Sequence, residues 1–240
     1  GKPCKGVNCP MILEMTRPTQ GGLRQERKLE AVSNNLANAS TIGFKKDFVS
    51  FDKAFKARVD QDFTQGDVIK TDNPLDVALG PQGLFKVETP DGIKYTRNGN
   101  FSLSSEGLLV DKSGNPVMGQ GGAIFIDTVD PNTSVNIDEY GQIFLNNEIL
   151  DTLDVVSFEN MKGLEKTGDN LFVYTGDTAD EIPSENVRVE AGSLEQANVQ
   201  VVEEMAKMID YQRMFETYTK SMKTFDEIDS KAINDVGLFT

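Results

Sequence analysis

Residues 201–236 read VVEEMAKMIDYQRMFETYTKSMKTFDEIDSKAINDV. Val201, Met205, Met208, Phe215, Met222, Phe225, Ile228, Ala232 and Val236 recur at steps of three and four or their sums, and Ile209 and Tyr218 widen the stripe. The spacing predicts one amphipathic helix past Gly192, a rod on the order of 60 Å long. Such a rod projects beyond a small globular domain, so its apolar stripe needs partners. Near the other end, Leu29, Val32, Leu36 and Ala39 fall at the same steps, with Arg24, Glu26, Arg27, Lys28 and Glu30 on the other faces. A second helix is predicted from Leu23, stopping near residues 38–43, where Asn, Ser, Thr and Gly supply helix-stop chemistry. It is too short to cover the long helix, which leaves the remaining stripe to other subunits. The chain reads as a self-assembling structural protein.

Between the helices the texture changes to short apolar runs. Residues 85–88, 94–96, 101–103, 108–110 and 116–118 read as strands, separated by turn signals such as Pro90-Asp91-Gly92 and Asn98-Gly99. Residues 123–126, 135–137, 143–145, 153–158, 171–174 and 187–190 extend the pattern. The predicted fold class is α+β: an N-terminal helix and following segment over 23–63, a central β-rich domain, meander or small barrel, over 64–191, and a C-terminal helix over 192–240.

Composition narrows the chemistry. With 240 residues and 38% hydrophobic content the chain can bury a core. The 24 Lys and Arg against 38 Asp and Glu, a net charge of −14, argue against nucleic acid or an anionic membrane as partner. Histidine is absent, which excludes imidazole acid–base chemistry and His-ligated metals. Cys4 and Cys9 could close a local disulfide, and as a metal site they lack two ligands. Met11 follows them as a native start would, so residues 1–22 are expected to be a poorly ordered extension or tag. Pro18 and the Gly21-Gly22 pair are expected to break or delay the first helix. No stretch approaches the roughly 20 apolar residues of a membrane span, and no secretory signal is visible.

Individual candidates carry plain readings. Gly119-Gln120-Gly121-Gly122 lacks the Lys-Ser/Thr of a phosphate loop and reads as a turn between strands. Glu203, Glu204, Asp226, Glu227 and Asp229 read as a solvated helix face rather than a cation site. Met205, Met208, Met214 and Met222 offer an adaptable packing stripe. Asn34, Asn35 and Asn38 are poor helix formers, held either by interhelical hydrogen bonds or by helix-end chemistry. A competing reading is a carbohydrate-acting enzyme using two carboxylates among Asp76, Glu88, Asp91 and Glu106, none of which is singled out by spacing. A ligand-binding module on the β scaffold is a third.

Two segments carry a resemblance. SNNLANASTIGFK (33–45) and GSLEQANV (192–199), the latter continued by MIDYQR (208–213), resemble the two end signatures of the bacterial flagellar basal-body rod and hook family. NPLDVAL (73–79) and YTRNGNF (95–101) are similar to internal segments of its rod proteins, so the likeness runs from Gly22 to Gly237. The short length, the 95–100 segment and the Phe225-Asp226-Glu227 ending are closer to the proximal than the distal rod branch. The resemblance implies a coiled-coil domain of both chain ends lining a helical axial tube, with the β domain outside. It implies a structural role in torque transmission and channel enclosure, without catalytic residue, cofactor or metal. The implied partners are copies of the chain, neighbouring rod proteins and the flagellar type III export apparatus, with the rod crossing the periplasm and no cleaved signal. The assembly contacts expected on this reading are Leu29, Val32, Asn34, Asn35, Leu36 and Asn38, with Val201, Met205, Met208, Ile209, Phe215 and Met222.

Overall fold

The long periodic stretch is a single helix, α2 (Val201–Gly237), whose first turn carries Glu203 and Glu204, charges that suit a helix N-terminus. The computed structural model describes residues 10–51, 56–127, 135–158, 160–176, 181–183 and 188–237; Cys4, Cys9 and residue 187 lie outside them, as do the side chains of Pro18, Asp229, Ala232 and Val236. α2 begins later than residue 192 because Ser193–Glu195 is a strand, paired antiparallel with Val68–Lys70. The preceding helix, α1 (Pro10–Ala37), begins earlier than residue 23 and runs through Pro18, Gly21 and Gly22. Packing explains the glycines: a Cβ on Gly21 would stand 2.5 Å from Cε1 of Tyr218 on α2. The missing side chain is the space the tyrosine ring fills, which offsets the roughly 1 kcal/mol that each helical glycine costs.

The chain forms two compact units. The first gathers α1, residues 47–60 and α2. Its helices run antiparallel: Thr19 Oγ1 lies 3.6 Å from Met222 Sδ, Gly21 meets Tyr218, the Lys28 ammonium stands 5.3 Å from the Tyr211 ring, and Asn35 bonds Glu204. The strands Lys46–Phe51 and Ala57–Asp62 pair as a two-stranded sheet, and Arg24 lies over the Phe51 ring at 5.3 Å.

The second unit holds residues 38–46 and 61–199. Its largest sheet has the order Leu164–Gly168, Leu171–Tyr174, Gly92–Thr96, Leu84–Thr89, Val155–Phe158, Glu181–Pro183, all antiparallel. Among the described residues the order is open and places 155–158 beside 84–89, so this sheet is neither a simple meander nor a closed barrel there. Only Val135–Ile137, Gln142–Leu145 and Glu148–Thr152 form a local three-stranded meander among the described residues. The hairpin between its last two strands turns on Asn146 and Asn147, both at positive φ, and Asp169 and Asn170 do the same between 164–168 and 171–174. Two consecutive left-handed residues match the right-handed twist of the flanking strands.

Two apolar clusters hold this unit. One packs Phe85, Val87, Phe101, Leu109, Val117, Ile124, Ile126, Ile143 and their neighbours, and the other packs Leu84, Tyr95, Val156, Phe158, Leu164 and Phe172. Each large side chain buried there contributes about 1.5–3 kcal/mol. At the rim of the second cluster Lys86 Nζ reaches Asp154 at 2.9 Å and Glu181 at 2.5 Å, while the Tyr95 hydroxyl donates to Glu181 at 2.9 Å. Burial alone would lower the Lys86 pKa, but its bonds to Glu181 and Asp154 outweigh burial and raise it. Burial first, then the bond to Glu181, raises the Tyr95 phenol above its usual value.

Both folded values lie above the unfolded ones. The stabilisation is therefore complete below pH about 10 and is lost as pH rises through the folded values. In an alkaline titration read at the tyrosinate absorbance, a late-ionising component is expected, and Tyr95→Phe removes it. A Tyr95→Phe variant that instead loses a component near pH 10 contradicts the assignment.

Candidate assembly surface

The family-like segments meet inside the second unit, around one carboxylate. Glu195, on the strand before α2, is 2% exposed. Its Oε1 accepts from Lys45 Nζ at 2.7 Å and from the Gly66 N–H at 2.9 Å, and its Oε2 accepts from Arg97 Nε at 2.6 Å. Lys45 also donates to the Thr64 carbonyl at 2.7 Å, and Arg97 donates three of its four other N–H groups to the carbonyls of Leu79, Gly80 and Gly83. Gly43, at φ +65°, ends the turn after α1 and donates its N–H to the Glu195 carbonyl at 2.7 Å. A Cβ there would lie 2.7 Å from the backbone of Arg97 and Asn98. Asn198 completes the clamp, accepting from the Lys46 N–H at 2.8 Å and donating to the carbonyls of Asp62 and Thr64. Burial pushes the Lys45 ammonium below its ordinary pKa, against the opposing pull of Glu195.

The first unit has a second polar node. Asn35 is fully buried in α1, and its side-chain amide pairs with the backbone of Asp47: Nδ2 donates to the carbonyl at 2.8 Å and Oδ1 accepts the N–H at 2.8 Å. The amide thus imitates a neighbouring strand. Its other N–H goes to Glu204 Oε2 at 3.1 Å, and Lys207 Nζ reaches Glu204 Oε1 at 3.0 Å. Glu204 is 1% exposed, so the solvated-face reading holds for Glu203 and fails for Glu204, which α1 covers. Asn34, exposed, donates to the Asp47 carboxylate at 2.6 Å.

The seam explains which apolar positions stay open. Glu204, Tyr211, Tyr218 and Met222 of α2 meet α1, and Met208 and Phe215 fall between them at three- and four-residue spacing, half-buried. On α1, Val32 is buried and Leu29 and Leu36 are half-buried, as is Asn38, where α1 has ended. Val201, Met205 and Ile209 stand elsewhere on α2, the last two each 52% exposed. They adjoin Val202, 82% exposed, a position that periodicity alone passed over. Met214, Phe225 and Ile228 form a second exposed series farther along. The structure therefore brings the expected residues together on two different faces: one turned to α1, the other open.

The competing candidates resolve differently. Gly119–Gly122 is a hairpin turn joining Met118–Gly119 to Gly122–Ala123. Asp76, 4% exposed, accepts from Thr71, Asn73 and Asn100 at 2.6, 3.1 and 2.9 Å, so its carboxylate staples a turn, while Glu88, Asp91 and Glu106 are exposed. Among the described residues no group of three or more Cys, Asp or Glu is placed to hold a metal ion. No described helix is long and apolar enough to cross a membrane.

A helical unit built from segments near both chain ends, a separate β-rich unit and the two end signatures define a class of flagellar axial protein. Three family models match in chain order: flagella basal body rod protein at 21–45, the flagellar hook protein FlgE/F/G D1 domain at 78–145, and the flagellar basal body rod FlgEFG protein C-terminal region at 190–235. The chain is 33% identical to the flagellar basal-body rod protein FlgF of Caulobacter vibrioides, covering 88% of this chain and 92% of the relative. It is 32% identical to FlgG of Buchnera aphidicola subsp. Acyrthosiphon pisum, over 86% and 93% of the two chains. With Bacillus subtilis FlgG the identity is 30%, over 87% and 93%. The chain belongs to the flagellar basal-body rod protein family, and its role is that of a structural rod subunit.

Removing one partner from a buried ion cluster costs about 3–5 kcal/mol, because the others remain charged and unpaired. Glu195→Gln strands both Lys45 and Arg97, so it is expected to destabilise the second unit by that amount in denaturant unfolding. Lys45→Met leaves the Arg97–Glu195 pair intact and is expected to cost clearly less; the reverse order contradicts the node. Asn35→Asp sets a second carboxylate against Glu204 and the Asp47 carbonyl. A loss of about 3 kcal/mol is expected in the same measurement, and a loss under about 1 kcal/mol contradicts the pairing.

Proposed function

We propose that this chain is a rod subunit of the proximal type, joined to its neighbours through the open face of α2 while the other face is held by α1. The observation that supports this most directly is the exposure of Val201, Val202, Met205 and Ile209 on a helix of 37 residues whose α1-facing side is already occupied. On this reading α1 and α2 act as a coiled-coil-like pair in the assembled rod. Leu29, Val32, Leu36, Met208, Phe215 and Met222 serve the seam within a subunit, and Asn35 and Asn34 hold the strand at Asp47. Only the open positions meet other chains, copies of itself or neighbouring rod proteins. The polypeptide performs no covalent chemistry and needs no cofactor. It passes through the flagellar type III export apparatus into a rod that crosses the periplasm.

Met205→Asp combined with Ile209→Asp tests the open face. Exposed substitutions are expected to change folding stability by no more than about 0.5 kcal/mol. The variant is therefore expected to fold as wild type yet to be missing from isolated basal bodies, with motility lost. Normal swimming and normal incorporation would overturn the reading.

A further inference from the structure

Four of the chain's eight methionines, Met205, Met208, Met214 and Met222, lie on α2, a helix that contains no leucine. They differ in access. Met208 and Met222 are half-buried on the side that meets α1, and Met222 Sδ lies 3.6 Å from Thr19 Oγ1. Met205 is 52% exposed and Met214 44%. Among the described residues, which hold no cysteine, these two are the only methionines that stand exposed. They are therefore the side chains there that a mild oxidant reaches first.

Their surroundings differ as well. A helical side chain meets those three and four positions away. For Met205 these are Val201, Val202, Met208 and Ile209, and none carries a hydrogen-bond donor. For Met214 they are Asp210, Tyr211, Thr217 and Tyr218, three of which carry a hydroxyl. Oxidation turns a flexible apolar thioether into a polar sulfoxide, whose oxygen accepts hydrogen bonds. At position 205 that oxygen finds no donor side chain on its own helix face, so water must supply the bond. Covering the face removes the water and leaves the acceptor unpaired.

We infer that Met205 is an oxidation-sensitive control point of the open face: a hydroperoxide converts it to the sulfoxide in the free subunit, and the oxidised subunit no longer enters the rod. With hydrogen peroxide, the sulfur lone pair attacks one oxygen, the O–O bond breaks, and the other oxygen departs as hydroxide. The hydroxide takes the proton left on the new sulfoxide oxygen and becomes water. Sulfur loses two electrons and the peroxide gains them. The inference rests on the open-face reading and adds a regulation of that same face.

The test begins with the purified full-length chain in dilute hydrogen peroxide, with sulfoxide read by peptide mass spectrometry. Met205 and Met214 are expected to oxidise several-fold faster than Met208 and Met222, and equal rates overturn the inference. Wild-type and Met205→Leu chains are then expressed together, during a peroxide pulse, in cells that build rods. Leucine keeps the face apolar and does not oxidise, and the peptide carrying position 205 distinguishes the two chains in isolated basal bodies. After correction for the oxidised fraction of the free pool, wild-type chain is expected to enter roughly tenfold less than its Met205→Leu companion, the cost of burying an acceptor without a donor. Met214→Leu in the same competition is expected to give no shift. Equal entry in the first competition, or an equal shift in the second, overturns the inference. Peroxide treatment of isolated basal bodies separates the two readings. If Met205 oxidises there as fast as in the free chain, the open-face reading fails and the inference with it. If Met205 is shielded there yet the two chains enter equally, the open-face reading stands and the oxidation inference alone fails.

Discussion

Glu195 is a carboxylate withdrawn from water between two cations, and the packing of residues 43–46 and 193–198 within the second unit depends on it. Each buried ion costs several kcal/mol of lost hydration, so the cluster is acceptable only when every donor and acceptor is used. Here the two carboxylate oxygens take Lys45, Arg97 and the Gly66 N–H, and the surplus positive charge is spread over the carbonyls of Thr64, Leu79, Gly80 and Gly83. Such a cluster contributes geometry more than net stability. It admits one arrangement of residues 43–46, 64–66, 79–83, 95–98 and 193–198, since any shift leaves a buried charge unpaired.

The same logic, with a neutral group at its centre, fixes the helices. An antiparallel seam with residues at steps of three and four along α2 tolerates slippage by a heptad, because methionine and tyrosine pack adaptably. Asn35 and Glu204 remove that freedom: a buried amide and a buried carboxylate bond each other in only one register. The glycine pair at 21 and 22 sets the separation at the other end, where Tyr218 lies against backbone. Polar chemistry fixes the register at one end of the seam, and absent side chains let the helices approach at the other.

Those arrangements explain what could be read beforehand. The extent of α2 was legible because exposure to water enforces a 3.6-residue period on its sequence, and the strand candidates 85–88, 94–96, 135–137, 143–145 and 171–174 were legible because short apolar runs are bounded there by turn residues. Strands 148–152 and 164–168 were not, since their hairpins turn on Asn146-Asn147 and Asp169-Asn170, which lack the glycine that usually marks a tight turn. The start of α1 was misplaced because helix propensity counts a glycine as a cost and cannot see the tyrosine ring 190 and more positions away that fills its space. Glu204 looked like a solvated acid for a similar reason: its partner Asn35 lies 169 residues earlier. Periodicity also merged two faces into one stripe, because Met205 and Met208 are neighbours in sequence whichever side α1 takes.

The division of that stripe bears on how a strongly acidic chain associates at all. At a net charge of −14 the long-range force between copies is repulsive, which keeps free subunits apart. Apolar contact must then act at short range, and each exposed side chain gains only about 1 kcal/mol or so on partial burial. On the proposed reading, the open stripe on α2 is a weak link by itself. It becomes sufficient when every copy makes several such contacts at once, because ordering one subunit satisfies them together. The helix pair suits that requirement: α1 holds one face of α2 in place beforehand, so less conformational entropy is lost when the other face is covered.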